Sequence, residues 1–83
     1  ADLPDDLLRA LAERGDGAAA QAWVRRMLGR GAAVSDSDIA YFATVAVSTG
    51  RVWTLPDGIA AMLRLDPATE PPERVRAYIA MLY

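Results

Sequence analysis

The apolar residues Ala20, Trp23, Val24, Met27 and Leu28 recur at i, i+3, i+4, i+7 and i+8, the spacing that gathers side chains on one face of an α-helix. Such a helix is stable only when other elements cover its apolar face. The chain has 83 residues and no Cys, so no disulfide framework can stand in for packing. A domain of this length buries only about 60–65% of its unfolded surface, which demands one compact core. Apolar residues make up 53% of the sequence, enough to build it.

The remaining segments carry helix signals of their own. Pro4 opens a first helix that runs to Arg14: its missing N–H suits the first helical position, and Asp5 and Asp6 sit at the positive end of the helix dipole. Leu7, Leu8 and Leu11 form its apolar stripe, and Gly15 stops it. Asp16 is the expected cap of a second helix that ends between Leu28 and Arg30, broken by Gly29 and Gly31; Gln21, Arg25 and Arg26 face away from its stripe, with Arg30 at the border. Ser35-Asp36-Ser37-Asp38 reads as a capping box with Asp in place of the usual Glu. The third helix then runs to Thr49, with Gly50 as its stop. Ile39, Tyr41, Phe42, Val45, Ala46 and Val47 wrap most of its circumference, which places it in the middle of a bundle, although its β-branched content also suits a strand.

Arg51 to Leu55 is expected to be a short extended connector. Thr54 then caps a fourth helix with Pro56 in its first turn and Ile59, Met62 and Leu63 facing inward. From Pro72 a fifth helix presents Val75, Tyr78, Ile79 and Leu82 on one face. The expected fold class is all-α, a single domain over residues 1–83 built as a compact bundle of five short helices. Ala1 stands where a start Met would, and Tyr83 falls inside a helical pattern, so the chain reads either as Met-trimmed or, by preference, as a piece of a longer protein. The longest apolar stretch, Ile39 to Val47, falls far short of the roughly 20 residues that span a bilayer. No basic-then-apolar leader is visible, and the expected location is cytoplasmic, without a membrane partner.

Chemistry is constrained by what is missing. Without Cys, His or Lys the chain has no thiolate, no imidazole base or metal ligand, and no amine nucleophile. All of its cations are Arg, beside a single Gln and no Asn, a bias expected of a GC-rich bacterial genome. The close carboxylate pairs, Asp5 with Asp6 and Asp36 with Asp38, sit at helix starts where capping and the dipole explain them, and adjacent helical side chains point about 100° apart. No enzyme, no metal, no cofactor and no small-molecule substrate is expected.

Ser37 has a second reading. The Asp36-Ser37 pair at a helix head, with the later Leu55-Pro56-Asp57, resembles the phosphopantetheine site of acyl and peptidyl carrier proteins. That resemblance implies a prosthetic arm on Ser37. Asp38 departs from it, standing where carriers have an apolar residue, and so does a helical segment where carriers have a long loop.

Charge is segmented along the chain. The net charge is −2 and the isoelectric point near 4.8, which argues against a general nucleic-acid binder. Residues 17–34 carry Arg25, Arg26 and Arg30 and no acid, between two acidic segments. Three arginines allow weak phosphate contact at most, and no helix offers a base-reading polar face. Protein association uses the same residues better. Arg25, Arg26 and Arg30 on one face and Asp5, Asp6, Asp36 and Asp38 at helix ends are complementary: on opposite sides they would dock copies head to tail, and side by side they would neutralise each other. In size, helical content and the stretch Trp23-Val24-Arg25-Arg26-Met27-Leu28, followed by Gly31 and a Ser-capped helix, the chain resembles death-fold adaptor domains of the caspase-recruitment kind and their bacterial counterparts. That resemblance implies an antiparallel bundle associating through opposite-charge patches, with a further helical element in helix one or the 50–55 connector. Trp53 is the last candidate, either plugging the end of the bundle, the favoured expectation, or standing exposed as an interface anchor. The expected function is recruitment of another protein, or of a second copy, without catalysis.

Overall fold

A computed structural model describes residues 3–30 and 35–82. Among them are five α-helices: α1 (Asp5–Glu13), α2 (Gly17–Arg30), α3 (Asp36–Ser48), α4 (Leu55–Met62) and α5 (Pro72–Leu82), with a 3₁₀ turn at Val52–Thr54. No strand occurs among the described residues, so the chain is all-α. None of the described helices is long and apolar enough to cross a membrane.

The helix ends follow from local chemistry. The Pro4 carbonyl accepts from the Leu7 and Leu8 amides, which places Pro4 just before α1 rather than in its first turn. Gly15, at φ +93°, reverses the chain so that the Asp16 amide donates back to the Leu11 carbonyl. The Asp16 carboxylate then accepts from the Ala19 amide at 3.1 Å, capping α2 as its sequence position predicts. Ser35 accepts from the Asp38 amide at 3.4 Å, but Asp38 does not reach back; arginines claim its carboxylate instead. Gly50 repeats the positive-φ reversal after α3, with the Arg51 amide donating to the Ala46 carbonyl. The Gly31 helix break and the terminal Tyr83 lie outside the described residues, and α2 continues through Gly29.

α3 is the central helix, packed against α2 and α4 most extensively and also against α1 and α5. Its surroundings are built of small residues. Ala12, Ala19, Ala20, Ala40, Ala43, Ala46 and Ala61 make up much of the buried core, around Trp23, Val24, Ile39 and Phe42. A Cβ on Gly58 would stand 2.8 Å from that of Ala43, so α4 lies against α3 at the closest approach a glycine permits. The Trp23 and Phe42 rings meet edge to face with centroids 4.9 Å apart.

Several sequence expectations change at this level. Gln21 faces inward, with 8% of its surface exposed, and accepts a 3.0 Å hydrogen bond from Arg51. In α4 the fully buried positions are Gly58 and Ala61; of the larger residues, Met62 packs against the core in part, whereas Leu63 is 82% exposed. In α5 only Tyr78 is buried, and Ile79 and Leu82 face out. The connector after Arg51 is not extended but coiled into the 3₁₀ turn. Thr54 does not cap α4: its hydroxyl donates to the Arg51 carbonyl at 2.9 Å and is buried there. With Thr54 filling the inner position, Trp53 is turned outward and is 56% exposed, against the expectation that it plugs the core.

Candidate functional site

Of the charged residues singled out in the sequence, Asp5, Arg26 and Arg30 meet each other across the bundle. Asp5, at the start of α1, pairs with Arg26 at 3.0 Å and with Arg30, both near the end of α2; Arg26 also donates to the Leu3 carbonyl. The guanidinium of Arg30 and then that of Arg26 hold the Asp5 carboxyl below its ordinary range. For these three residues the acidic and basic charges thus lie side by side, the mutually neutralising arrangement. Arg25 and Asp6 are exposed and take part in no ion pair among the described residues. Asp36, at the head of α3, pairs with Arg64 just beyond α4 at 2.9 Å.

Asp38 is the centre of a larger cluster. One carboxylate oxygen accepts from Arg9 of α1 and the other from Arg74 of α5, both at 2.9 Å. Burial disfavours its charge, but the two guanidiniums outweigh that and hold its carboxyl below the ordinary range. The Arg9 guanidinium, bonded also to Glu13 at 3.2 Å, lies over the Trp23 and Phe42 rings at 5.7 and 5.4 Å. The Arg74 guanidinium covers Tyr41 at 4.7 Å.

Ser37 belongs to the same cluster. Its hydroxyl donates to Glu70 at 3.0 Å and accepts from Arg74 at 2.6 Å. Tyr78 donates to the same Glu70 oxygen at 2.5 Å and lies 3.3 Å from the Ser37 carbonyl. Burial first, and then the Glu70 carboxylate, push the Tyr78 hydroxyl well above its ordinary titration range. A prosthetic arm on Ser37 would have to displace both Glu70 and Arg74. Arg9, Glu70, Arg74 and Tyr78 were not among the residues expected at a site. The one local signal was the i,i+4 spacing of Arg74 and Tyr78, which aligns them on one face of α5.

No group of three or more His, Cys, Asp or Glu among the described residues is arranged to hold a metal ion. Asp36 and Asp38 turn to different arginines and do not converge. Openings lie on both flanks of α5. Between α3 and α5 lies a groove of about 450 Å³ whose lining, including Tyr41, Val45, Ala77 and Met81, contains no charged residue. On the other flank, toward α4, a pocket of about 110 Å³ is lined by Met62, Leu65, Pro67, Glu70, Val75 and Tyr78. No protein-family model matches the chain, and no curated protein or solved structure matches it either. The likeness to death-fold domains therefore rests on size, helical content and the Trp23–Leu28 stretch.

Proposed function

We propose that this domain is a non-enzymatic interaction module that recruits another protein, or a second copy of itself, through exposed apolar side chains held on a rigid frame. The observation that carries this reading is Trp53, with more than half of its surface open to solvent and the exposed Val52 beside it. Their 3₁₀ turn is fixed from below by the buried Thr54 and by the hydrogen bond from Arg51 to Gln21. An aromatic ring on a rigid turn gives a partner a large contact area with little ordering cost, which is why Trp is enriched among residues that dominate binding energy. Charge takes a smaller part than the sequence suggests, because Arg26 and Arg30 are already occupied by Asp5. Arg25 remains available at the rim of an interface.

The test compares wild type with Trp53→Ala and Arg25→Glu by sedimentation over a range of concentrations and by capture of partners from a cell extract. Trp53→Ala should abolish whatever association wild type shows, and Arg25→Glu should weaken it and alter its salt dependence. Association that survives Trp53→Ala unchanged would refute the reading.

A further inference from the structure

The charges of the cluster at the head of α3 do not balance. Two guanidiniums, Arg9 and Arg74, stand against three carboxylates, Glu13, Asp38 and Glu70, which leaves one negative charge over. Glu13 and Asp38 have their cations; Glu70 has none within ion-pair distance among the described residues. Both hydroxyls that reach Glu70, those of Ser37 and Tyr78, bond its Oε2, so the carboxylate is held in place while Oε1 accepts no hydrogen bond from the described residues. No buried side-chain oxygen among the described residues lacks a partner, so Oε1 is not sealed from solvent.

Glu70 is also a wall of the small pocket between α4 and α5. Met62, Leu65 and Val75 give that pocket apolar sides, and Tyr78 gives it an aromatic one. At about 110 Å³ it is well under the roughly 300–1,000 Å³ of a small-molecule site, and is the size of one side chain. It shares Pro67, Glu70 and Val75 with a shallow depression of about 430 Å³ that carries Arg76. Arg76 is exposed and makes no ion pair among the described residues.

We propose that this pocket receives a basic side chain of a partner protein, its aliphatic stem against Met62, Leu65 and Val75 and its cationic head on Glu70 Oε1. The proposal rests on the reading of the domain as an interaction module and names the chemistry of its partner. Arg suits the site better than Lys, because its planar guanidinium can meet a carboxylate oxygen and lie against the Tyr78 ring together. An acidic residue close to that Arg in the partner would meet Arg76. The larger groove between α3 and α5 offers no such selection, since its lining is uncharged.

The experiment is an NMR titration of the whole 83-residue chain with acetyl-Arg-Leu-Asp-amide, and with the same peptide bearing citrulline, the neutral counterpart of Arg. Saturable shifts are expected at Leu65, Glu70, Val75 and Tyr78, with citrulline binding about tenfold weaker or worse. Glu70→Gln, which keeps an acceptor for the Ser37 and Tyr78 hydroxyls, should cause a similar loss, whereas Trp53→Ala should not. Equal affinity for the two peptides, or no saturable shift at these residues, overturns the proposal, and the citrulline comparison holds even if Glu70→Gln fails to fold. If Trp53→Ala abolishes protein capture while the peptide leaves the pocket unmoved, the interaction reading stands and the pocket assignment falls. If the pocket selects Arg but neither Trp53→Ala nor Glu70→Gln alters capture, the interaction reading falls.

Discussion

Asp38→Asn tests whether the polar cluster at the head of α3 holds three helices together. Asp38 accepts one guanidinium hydrogen bond from α1 and one from α5, and its own side chain is 18% exposed. A hydrogen bond to a charged partner contributes about 1.5–3 kcal/mol when shielded from water. The Arg74 bond, with 21% of that side chain exposed, falls in this range; Arg9 is 40% exposed, which cuts its share toward the roughly 0.5–1 kcal/mol of a surface pair. Asn keeps a carbonyl for one guanidinium, loses the charge for both and turns an N–H₂ group toward the other. The expected loss is about 2–3 kcal/mol, a large part of the roughly 4–12 kcal/mol available to a chain of this length. In urea, with a slope of about 1 kcal/mol per molar for so small a domain, the midpoint should fall by about 2 M. Because the carboxyl titrates lower in the fold than its ordinary 3.8, its contribution is present above about pH 4 and disappears as the pH falls through the folded value. Wild type and variant should therefore converge on acidification. A midpoint shift under about 0.5 M at neutral pH, or one that does not shrink in acid, would refute the clamp.

Four further substitutions probe the rest of the fold. Tyr78→Phe removes the donor to Glu70 and should cost about 1 kcal/mol at neutral pH, measured by urea unfolding. Because the Tyr78 hydroxyl titrates above its ordinary 10.0 in the fold, that contribution persists below pH 10 and fades at higher pH, so the two proteins should converge in alkali. Gly58→Ala improves helix propensity yet should destabilise by about 1–3 kcal/mol, since its new methyl would fall 2.8 Å from Ala43; thermal unfolding at or above the wild-type temperature would contradict that contact. Trp53→Ala should leave stability within about 0.5 kcal/mol, whereas Trp23→Ala, in the core, should cost about 3–5 kcal/mol, and fluorescence-detected unfolding of each single-Trp protein separates the two.

The helices were legible where they begin or end on a chemical signal that needs no tertiary partner. Asp16 and Ser35 cap, Gly15 and Gly50 reverse the chain, and Pro72 opens α5. Which face of a helix turns inward was legible only where large side chains fill the interface, as Trp23 and Val24 do in α2. In α4 the rule inverted: Gly58 and Ala61 face α3 because backbones in close contact leave no room for Ile59 or Leu63. Sequence periodicity follows bulky residues and cannot separate a small residue that packs from one that is merely small. Gln21 was misread for a related reason, since its partner Arg51 lies thirty residues away and no local spacing announces it.

The charge pattern has a geometric cause that the sequence does not display. Acids favour helix starts and arginines favour helix ends because of the dipole. When two helices run antiparallel, the start of one lies beside the end of the other, so the pattern closes on itself: Asp5 meets Arg26 and Arg30 across α1 and α2, and Asp36 meets Arg64 across α3 and α4. What looked like complementary docking surfaces is, for these residues, the internal complement of an antiparallel bundle. α3 and α5 differ: Arg74 lies against Ser37, Asp38 and Tyr41, while the later residues Ala77 and Met81 face Val45 and Ser48 across the groove, so the two run in the same direction. A parallel pair brings Asp38, in the first turn of α3, close to Glu70, two residues before α5, and no helix end among the described residues pairs with either to neutralise it. Arg74 and Arg9, reaching in from within their helices, meet that need for Asp38 but not for Glu70. The uncompensated carboxylate is thus a consequence of topology, and it stands where the surface is also apolar and concave.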